Sequence, residues 1–320
     1  MVFLITGASG FIGFHLAKAL LARGNTVIGI DNLNDYYSPL LKQARCDQLK
    51  QFQNFYFYQM DIADQPAMES ILKQHHDIKI IFNLAAQAGV RYSLENPFAY
   101  IQTNITGHLT ILELARHLPK LQRIFYASSS SVYGLNKRLP FSEQDRVDRP
   151  SSVYAASKQS AELLSFTYHH LYGLKQTGLR FFTVYGPWGR PDMAYYLFAK
   201  AIAENKPITL YEGENLSRDF TYISDVIDGL ISLLECPDLD GYEIYNIGNS
   251  RQEQVENLIT CLEKSMQKKA KINRITRPNT DIEATLSDIT AIYKKTGWSP
   301  KTRLDEGIRY FTDWFQNFNN

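Results

Sequence analysis

Two hydrophobic patterns alternate from the N-terminus to about residue 185. One is a short run of consecutive apolar, often β-branched or aromatic side chains, at 2–5, 26–30, 54–60, 79–84, 122–127 and 177–185. The other is a longer stretch in which apolar residues recur at helical spacing, running to Arg23 and then over about 39–51, 97–117 and 152–172. Unbroken apolar runs read as strands covered on both faces, and their regular alternation with helices predicts a doubly wound parallel α/β sheet. Beyond 191 the alternation loosens: a helix at 193–204, a short strand at 208–211, a charged loop with Arg218, a helix opened by Tyr222-Ile223-Ser224-Asp225, and a strand at 242–247 that rejoins the sheet. The remainder reads as largely helical.

Between the first strand and its helix lies Thr6-Gly7-Ala8-Ser9-Gly10-Phe11-Ile12-Gly13, a GxxGxxG turn. Gly7 permits the tight turn, Gly10 lets backbone N–H groups approach a pyrophosphate, and Gly13 lets the helix pack close to the strand. The helix N-terminus, at Phe11 and Ile12, supplies partial positive charge. The second strand ends at Asp31, followed by Asn32, where a carboxylate can accept both hydroxyls of an adenosine ribose and would repel a 2′-phosphate. The expected cofactor is therefore NAD rather than NADP, on a Rossmann sheet; a glycine turn without ligand is the plainer alternative. Asp61 and Ile62, at the end of the third strand, are placed for adenine, although Asp61 reads equally well as a helix N-cap. Leu84 closes the fourth strand, and Ala85 and Ala86 open a small-residue loop against which a cofactor can lie. Asn104, a poor helix former inside an apolar helix, is either a cofactor contact or a satisfied interior amide.

With 320 residues and a formal net charge of +1, the chain has length for one large domain or two interlocked ones, and nothing marks nucleic acid or an anionic membrane as a standing partner. Cys46, Cys236 and Cys261 are scattered and odd in number, which argues against a disulfide framework and for a reducing, cytoplasmic setting. The first apolar run is too short for a signal peptide and is needed as a strand, and no run approaches the ~18 apolar residues of a membrane span. The His75-His76-Asp77 and His169-His170 clusters read as solvated, with no metal site. The division expected is 1–187 with 221–250 for the nucleotide domain, and 188–220 with 251–320 for a smaller, discontinuous substrate domain.

The fifth strand runs into Ser128-Ser129-Ser130-Ser131-Val132-Tyr133-Gly134, a concentration of hydroxyls that packing alone does not call for. Tyr-x-x-x-Lys occurs three times, at Tyr133/Lys137, Tyr154/Lys158 and Tyr196/Lys200. Only Tyr154 opens a helix soon after the serine-rich strand end, so only Tyr154 and Lys158, one turn apart on one face, are placed to meet a nicotinamide. Arg218 and Arg277 are candidate diphosphate contacts, with Asp281 beside Arg277 as a further substrate contact; isolated arginines are otherwise solvated.

Over essentially its whole length the chain resembles the extended short-chain dehydrogenase/reductase family of nucleotide-sugar enzymes. Asp31 to Tyr37, Ala88 to Ser93, Tyr126 to Gly134, Arg180 to Met193 and Arg218 to Ile223 look like the UDP-glucuronate 4-epimerases among them. The resemblance implies that Tyr154 is the base, that Lys158 lowers its phenol pKa from ~10 and binds the nicotinamide ribose, and that Ser129 orients the sugar 4-OH. It implies transient oxidation at C4, rotation of the 4-keto sugar about its diphosphate, and reduction on the opposite face, with NAD retained throughout.

Ser130 and Ser131 separate this chain from relatives. The 4,6-dehydratases carry an Asp-Glu pair at these two positions, and UDP-glucuronate decarboxylases carry Glu at the position of Ser131. Galactose-type 4-epimerases typically have Asn where Thr183 stands. Thr183 and Ser130 are thus candidates to offer hydroxyls to a sugar carboxylate, with Arg190 or Arg91 supplying charge; the plain readings are strand preference for Thr183 and a surface turn for Arg190. The expected function is a UDP-glucuronate/UDP-galacturonate 4-epimerase, a step in polysaccharide precursor synthesis, against a neutral UDP-hexose 4-epimerase or, more remotely, a non-catalytic NAD sensor. The family also implies a homodimer through helices 97–117 and 152–172, whose apolar faces would serve equally in packing on the sheet.

Overall fold

The computed structural model describes residues 1–211, 216–276 and 283–319. They form two compact units, Met1–Asn136 with Arg146–Arg180 and Cys236–Tyr245, and Lys137–Asp145 with Phe181–Glu235 and Asn246–Asn320. Residues 181–187, 221–235 and 246–250 thus belong to the second unit, and 236–245 to the first.

In the large sheet, seven strands stand in the order Phe55–Gln59, Thr26–Asp31, Val2–Thr6, Ile80–Asn83, Arg123–Ser129, Gln176–Phe181, Tyr242–Ile247. Val2–Thr6 pairs in parallel with Thr26–Asp31 on one side and Ile80–Asn83 on the other, so the order of winding reverses at the first strand. In such sheets ligands bind beyond the carboxyl ends of the strands at this reversal. Here those ends carry Thr6, Asp31 and Asn83. The unbroken apolar runs are explained by two-sided cover: Leu4, Ile28, Ile30, Ile81 and Ile124 pack with Met68, Ile71, Ile111 and Leu112 from the helices of one face.

Several sequence expectations change. The helix at 97–117 is not uniform, because Pro97–Tyr100 passes into a π-helical stretch, Ile101–Gly107, before His108–Ala115 resumes the α-helix. The sixth strand is two: Gln176–Phe181 stays in the large sheet, and Thr183–Tyr185 joins Ser217–Tyr222 and Gln252–Gln254 in a three-stranded sheet of the second unit. Arg218 therefore lies in a strand and not in a loop. Asp61 is not the helix N-cap; Asp64 is, its carboxylate accepting from Ala67 N at 3.1 Å ahead of Gln65–Gln74.

The second unit also holds a parallel pair, Pro207–Tyr211 with Lys271–Ile275, and the helices Ala194–Ala203, Ile223–Glu235, Val255–Met266, Thr290–Thr296 and Leu304–Asn319. The described residues beyond 250 thus include the strands Gln252–Gln254 and Lys271–Ile275 where a largely helical stretch was expected. Tyr195, Tyr196, Phe311 and Phe315 meet in its aromatic core.

Candidate functional site

The glycine turn is built as a cradle. Gly7 has φ +69°, and a Cβ there would lie 2.9 Å from Ala85 N; one at Gly13 would lie 2.1 Å from Gly7 O. Gly10 caps the helix Phe11–Ala22 with no side-chain hydrogen bond to its first N–H groups. Those orphan donors and the helix dipole suit a pyrophosphate. Leu84 N donates to Thr6 O at 3.3 Å and Ala85 N to Thr6 Oγ1 at 3.1 Å, which draws the Leu84-Ala85-Ala86 loop against the glycine turn.

Asp31 closes the strand Thr26–Asp31 at the carboxyl edge of the large sheet. Its Oδ2 accepts from Ser9 N at 3.0 Å and its Oδ1 from Leu33 N at 2.9 Å, which fixes the carboxylate and leaves lone pairs for hydroxyls. Burial raises its pKa, opposed by the Leu33 N–H, the Lys42 charge, the Ser9 N–H and the Arg45 charge. Asn32 Nδ2 donates to Asp61 Oδ2 at 3.0 Å, joining the ends of the second and third strands. Ile62 spends its side chain in the core, which leaves its backbone for any adenine contact. The residues present fit an NAD.

Asn104 is placed by the π-helical stretch and is 3% exposed. Its amide accepts from Gln87 N at 2.8 Å and donates to Gln87 O at 3.0 Å and Ser157 Oγ at 2.9 Å. It clasps the loop after the fourth strand to the helix Val153–Tyr172. Ser157 in turn donates to Tyr154 O at 2.8 Å.

That helix starts because Ser152 accepts from Ala155 N at 3.1 Å and ends at left-handed Gly173. Lys158, 4% exposed, donates to Ala127 O at 3.0 Å, immediately before the serine turn. Tyr154, one turn earlier, is half-buried and meets Tyr100 edge to face at 6.0 Å. Ser129 Oγ accepts from Ser131 N at 3.2 Å and so caps the 3₁₀ turn Ser130–Tyr133. Ser130 and Ser131 are half-buried, and Arg91 is exposed.

In the second unit, half-buried Thr183 opens the strand Thr183–Tyr185. Arg190 grips Asp192 with both Nε, at 3.1 Å, and Nη2, at 2.5 Å. Arg218 donates through Nη1 to Ser217 O at 2.9 Å and Glu283 O at 3.0 Å. Arg277 and Asp281 lie outside the described residues.

Sequence reasoning passed over several buried polar residues. Arg180 stands in a wholly buried strand, and Glu162 lies one turn beyond Lys158. Asp219, 0% exposed, accepts from the backbone N–H groups of Asn249, Ser250 and Ser287, which fixes the strand that carries Arg218. Arg180, between Leu179 and Phe181, left a local trace as a charge beside apolar neighbours; Glu162, in a helix of mixed polar and apolar residues, and Asp219, beside Arg218, left none. His75 and His169, read as solvated, bond instead to Tyr58 Oη at 2.8 Å and Leu174 O at 3.0 Å. Among the described residues no group of three or more His, Cys, Asp or Glu is arranged to hold a metal, and no helix is long and apolar enough to cross a membrane.

A family profile described as GDP-mannose 4,6 dehydratase matches residues 4–311. The chain is 49% identical to an uncharacterized protein of Methanocaldococcus jannaschii, over 98% of this chain and 95% of that one. It is 43% identical to UDP-glucuronate 4-epimerase 1 of Arabidopsis thaliana, over 98% of this chain and 76% of the relative. Its fold matches, with a TM-score of 0.93 and 35% identity, the UDP-glucuronic acid 4-epimerase of Bacillus cereus in complex with UDP-glucuronic acid and NAD, covering 99% and 100% of the two chains.

Proposed function

Because the chain belongs to the GDP-mannose 4,6-dehydratase family and, within it, groups with the UDP-glucuronate 4-epimerases, we propose that it is an NAD-dependent enzyme interconverting UDP-glucuronate and UDP-galacturonate. The observation that carries the reading is the Lys158 ammonium on Ala127 O, at the mouth of a serine turn that holds no carboxylate. NAD, when bound, accepts the hydrogen of sugar C4 with its electron pair and gives it back.

The chain's residues do the rest. Tyr154 takes the proton of the 4-OH and later returns it, while the Lys158 charge stabilises the tyrosinate that this requires. Ser129 orients the 4-oxygen. Sugar rotation between the two half-reactions exchanges the faces of C4, so the product differs only in configuration there. The 4-keto uronate formed on the way is a β-keto acid, and hydroxyls at Ser130 and Ser131 give its loss of CO₂ no acid or base. We assign Arg218 and Arg277 to the diphosphate, Asp281 to a further substrate contact, and Ser130 and Thr183 to the sugar carboxylate. Charge for that carboxylate comes from Arg91 or Arg190, the latter after exchange with Asp192.

Two further elements complete the proposal. The helices at 97–117 and 152–172 pair with a second copy of the chain; Phe98, Leu163 and Phe166 are 82%, 64% and 54% exposed along them. The enzyme works in the cytoplasm, consistent with three free cysteines, and supplies an activated uronic acid for polysaccharide synthesis. The test is to incubate the purified protein with UDP-glucuronate and with UDP-glucose and separate the products by chromatography. UDP-galacturonate formed faster than any UDP-galactose supports the reading; preference for the neutral sugar, unaltered in Thr183→Asn, refutes the carboxylate assignment.

A further inference from the structure

A buried ion pair in the first unit takes no part in the chemistry above, yet it joins the two pieces that carry it. Glu162 sits on the helix of Tyr154 and Lys158, and Arg180 in the strand Gln176–Phe181. Arg180 Nε donates to Glu162 Oε1 at 2.9 Å and Nη2 to Oε2 at 2.8 Å, with side chains 3% and 6% exposed. From this pair two bonds reach the serine turn. Ser128 Oγ donates to Glu162 Oε1 at 2.5 Å, and Arg180 Nη1 donates to Tyr133 Oη at 3.2 Å, its guanidinium 4.9 Å from the Tyr133 ring. Ser128 and Tyr133 flank Ser129 at the two ends of the turn.

Desolvating two charges is expensive, and apolar side chains of similar volume would fill the same space with comparable or better stability. What apolar residues lack is direction: a bidentate carboxylate–guanidinium pair fixes both partners in one plane, with lone pairs and N–H groups aimed at defined points. Those points here are the two ends of the serine turn. We propose that Glu162 and Arg180 are positioning residues that clamp the Ser128–Tyr133 turn to the catalytic helix and so set the Ser129 hydroxyl against Tyr154. The proposal rests on the epimerase reading above. A displacement of about 1 Å in such a group can cost up to ~10²-fold in rate, so the clamp acts on kcat.

Removing either charge would strand the other in the interior and can unfold the protein, so the decisive variant is Ser128→Ala, which cuts one tether and leaves the ion pair whole. With wild-type turnover of UDP-glucuronate as the reference, Ser128→Ala is expected to lower kcat by about tenfold while KM and NAD affinity stay within about twofold. Tyr133→Phe, which cuts the other tether, is expected to give a smaller loss of the same kind. In a Ser129→Ala background, Ser128→Ala should cost nothing further, because a clamp that acts through Ser129 has nothing left to position. Wild-type kcat in Ser128→Ala, or losses that multiply in the double variant, overturn the clamp while leaving the epimerase reading intact. A wild-type protein inactive on UDP-sugars overturns both.

Discussion

His108 Nε2 lies 2.8 Å from Ser165 Oγ, so a buried imidazole ties the helix of Tyr154 and Lys158 to the middle of the sheet. Its Nδ1 is 2.8 Å from Asn83 Nδ2, and Asn83 Oδ1 accepts from Thr6 Oγ1 at 2.6 Å. The chain ends where Thr6 Oγ1 accepts from Ala85 N, beside the glycine turn. A neutral ring satisfies every member: the Asn83 amide donates to Nδ1, and Nε2–H donates to Ser165. A second ring proton would face the Asn83 donor.

The imidazole is therefore held neutral, its pKa lowered from 6.5 to about 3 by burial first and by the Lys158 charge second. Between those two values the unfolded chain binds a proton that the folded chain does not, so stability falls as pH drops through the window. The contribution approaches 1.4 kcal/mol per pH unit, as an order-of-magnitude figure. Urea unfolding from pH 7 to 4 should show a shallower decline in His108→Gln than in wild type. Parallel declines would show that His108 is not the group responsible.

At Gly13 a methyl group would meet the Gly7 carbonyl, which is backbone and has no rotamer to yield. Gly13→Ala is expected to cost upwards of about 2 kcal/mol and to leave the purified protein without bound NAD. Unfolding midpoints and the nucleotide released on denaturation check both. Retention of NAD by a variant of normal stability would mean that the turn is not packed this tightly.

The proposal that Ser131 withholds acid and base from decarboxylation is tested by placing a carboxylate there. Ser131→Glu places an acid group in the serine turn, and UDP-pentose should rise at least tenfold as a share of products from UDP-glucuronate. Product analysis by NMR decides; an unchanged product spectrum would show that the carboxylate is protected by orientation alone.

Leu163 and Phe166 are exposed on the helix Val153–Tyr172. The double variant Leu163→Glu/Phe166→Glu should halve the solution mass to 36.7 kDa by light scattering, with the fold retained by circular dichroism. A wild-type protein already at that mass would rule out the dimer.

The large sheet and its glycine turn were legible in the sequence because each is a local pattern: a strand, GxxGxxG, a helix, and Asp31 at the next strand end. Tyr154 and Lys158 stand apart from the two other Tyr-x-x-x-Lys pairs only through their position, on a helix that opens soon after the serine-rich strand end. The break at Phe182 was not, since Phe182 N donates to Ile247 O, a pairing across distant segments that leaves no local trace. Asn104 stood out in the sequence as a polar residue inside an apolar helix, but only the fold shows its two partners, Gln87 and Ser157. Glu162 and Arg180, His108 and Ser165, and Thr6 and Asn83 are likewise pairs whose meaning depends on a partner far along the chain. Sequence periodicity reports which face is buried; it does not report which buried polar groups meet.

Transient oxidation at C4 is tested with UDP-glucuronate carrying deuterium at C4, incubated with the purified protein without added cofactor. Transient oxidation at C4 with return of the same hydride gives UDP-galacturonate that keeps the deuterium at C4, with no exchange into solvent and no loss of CO₂. Epimerised product that has lost its C4 deuterium to water would contradict transient oxidation at C4 and, with it, the roles given to Tyr154, Lys158 and the bound NAD.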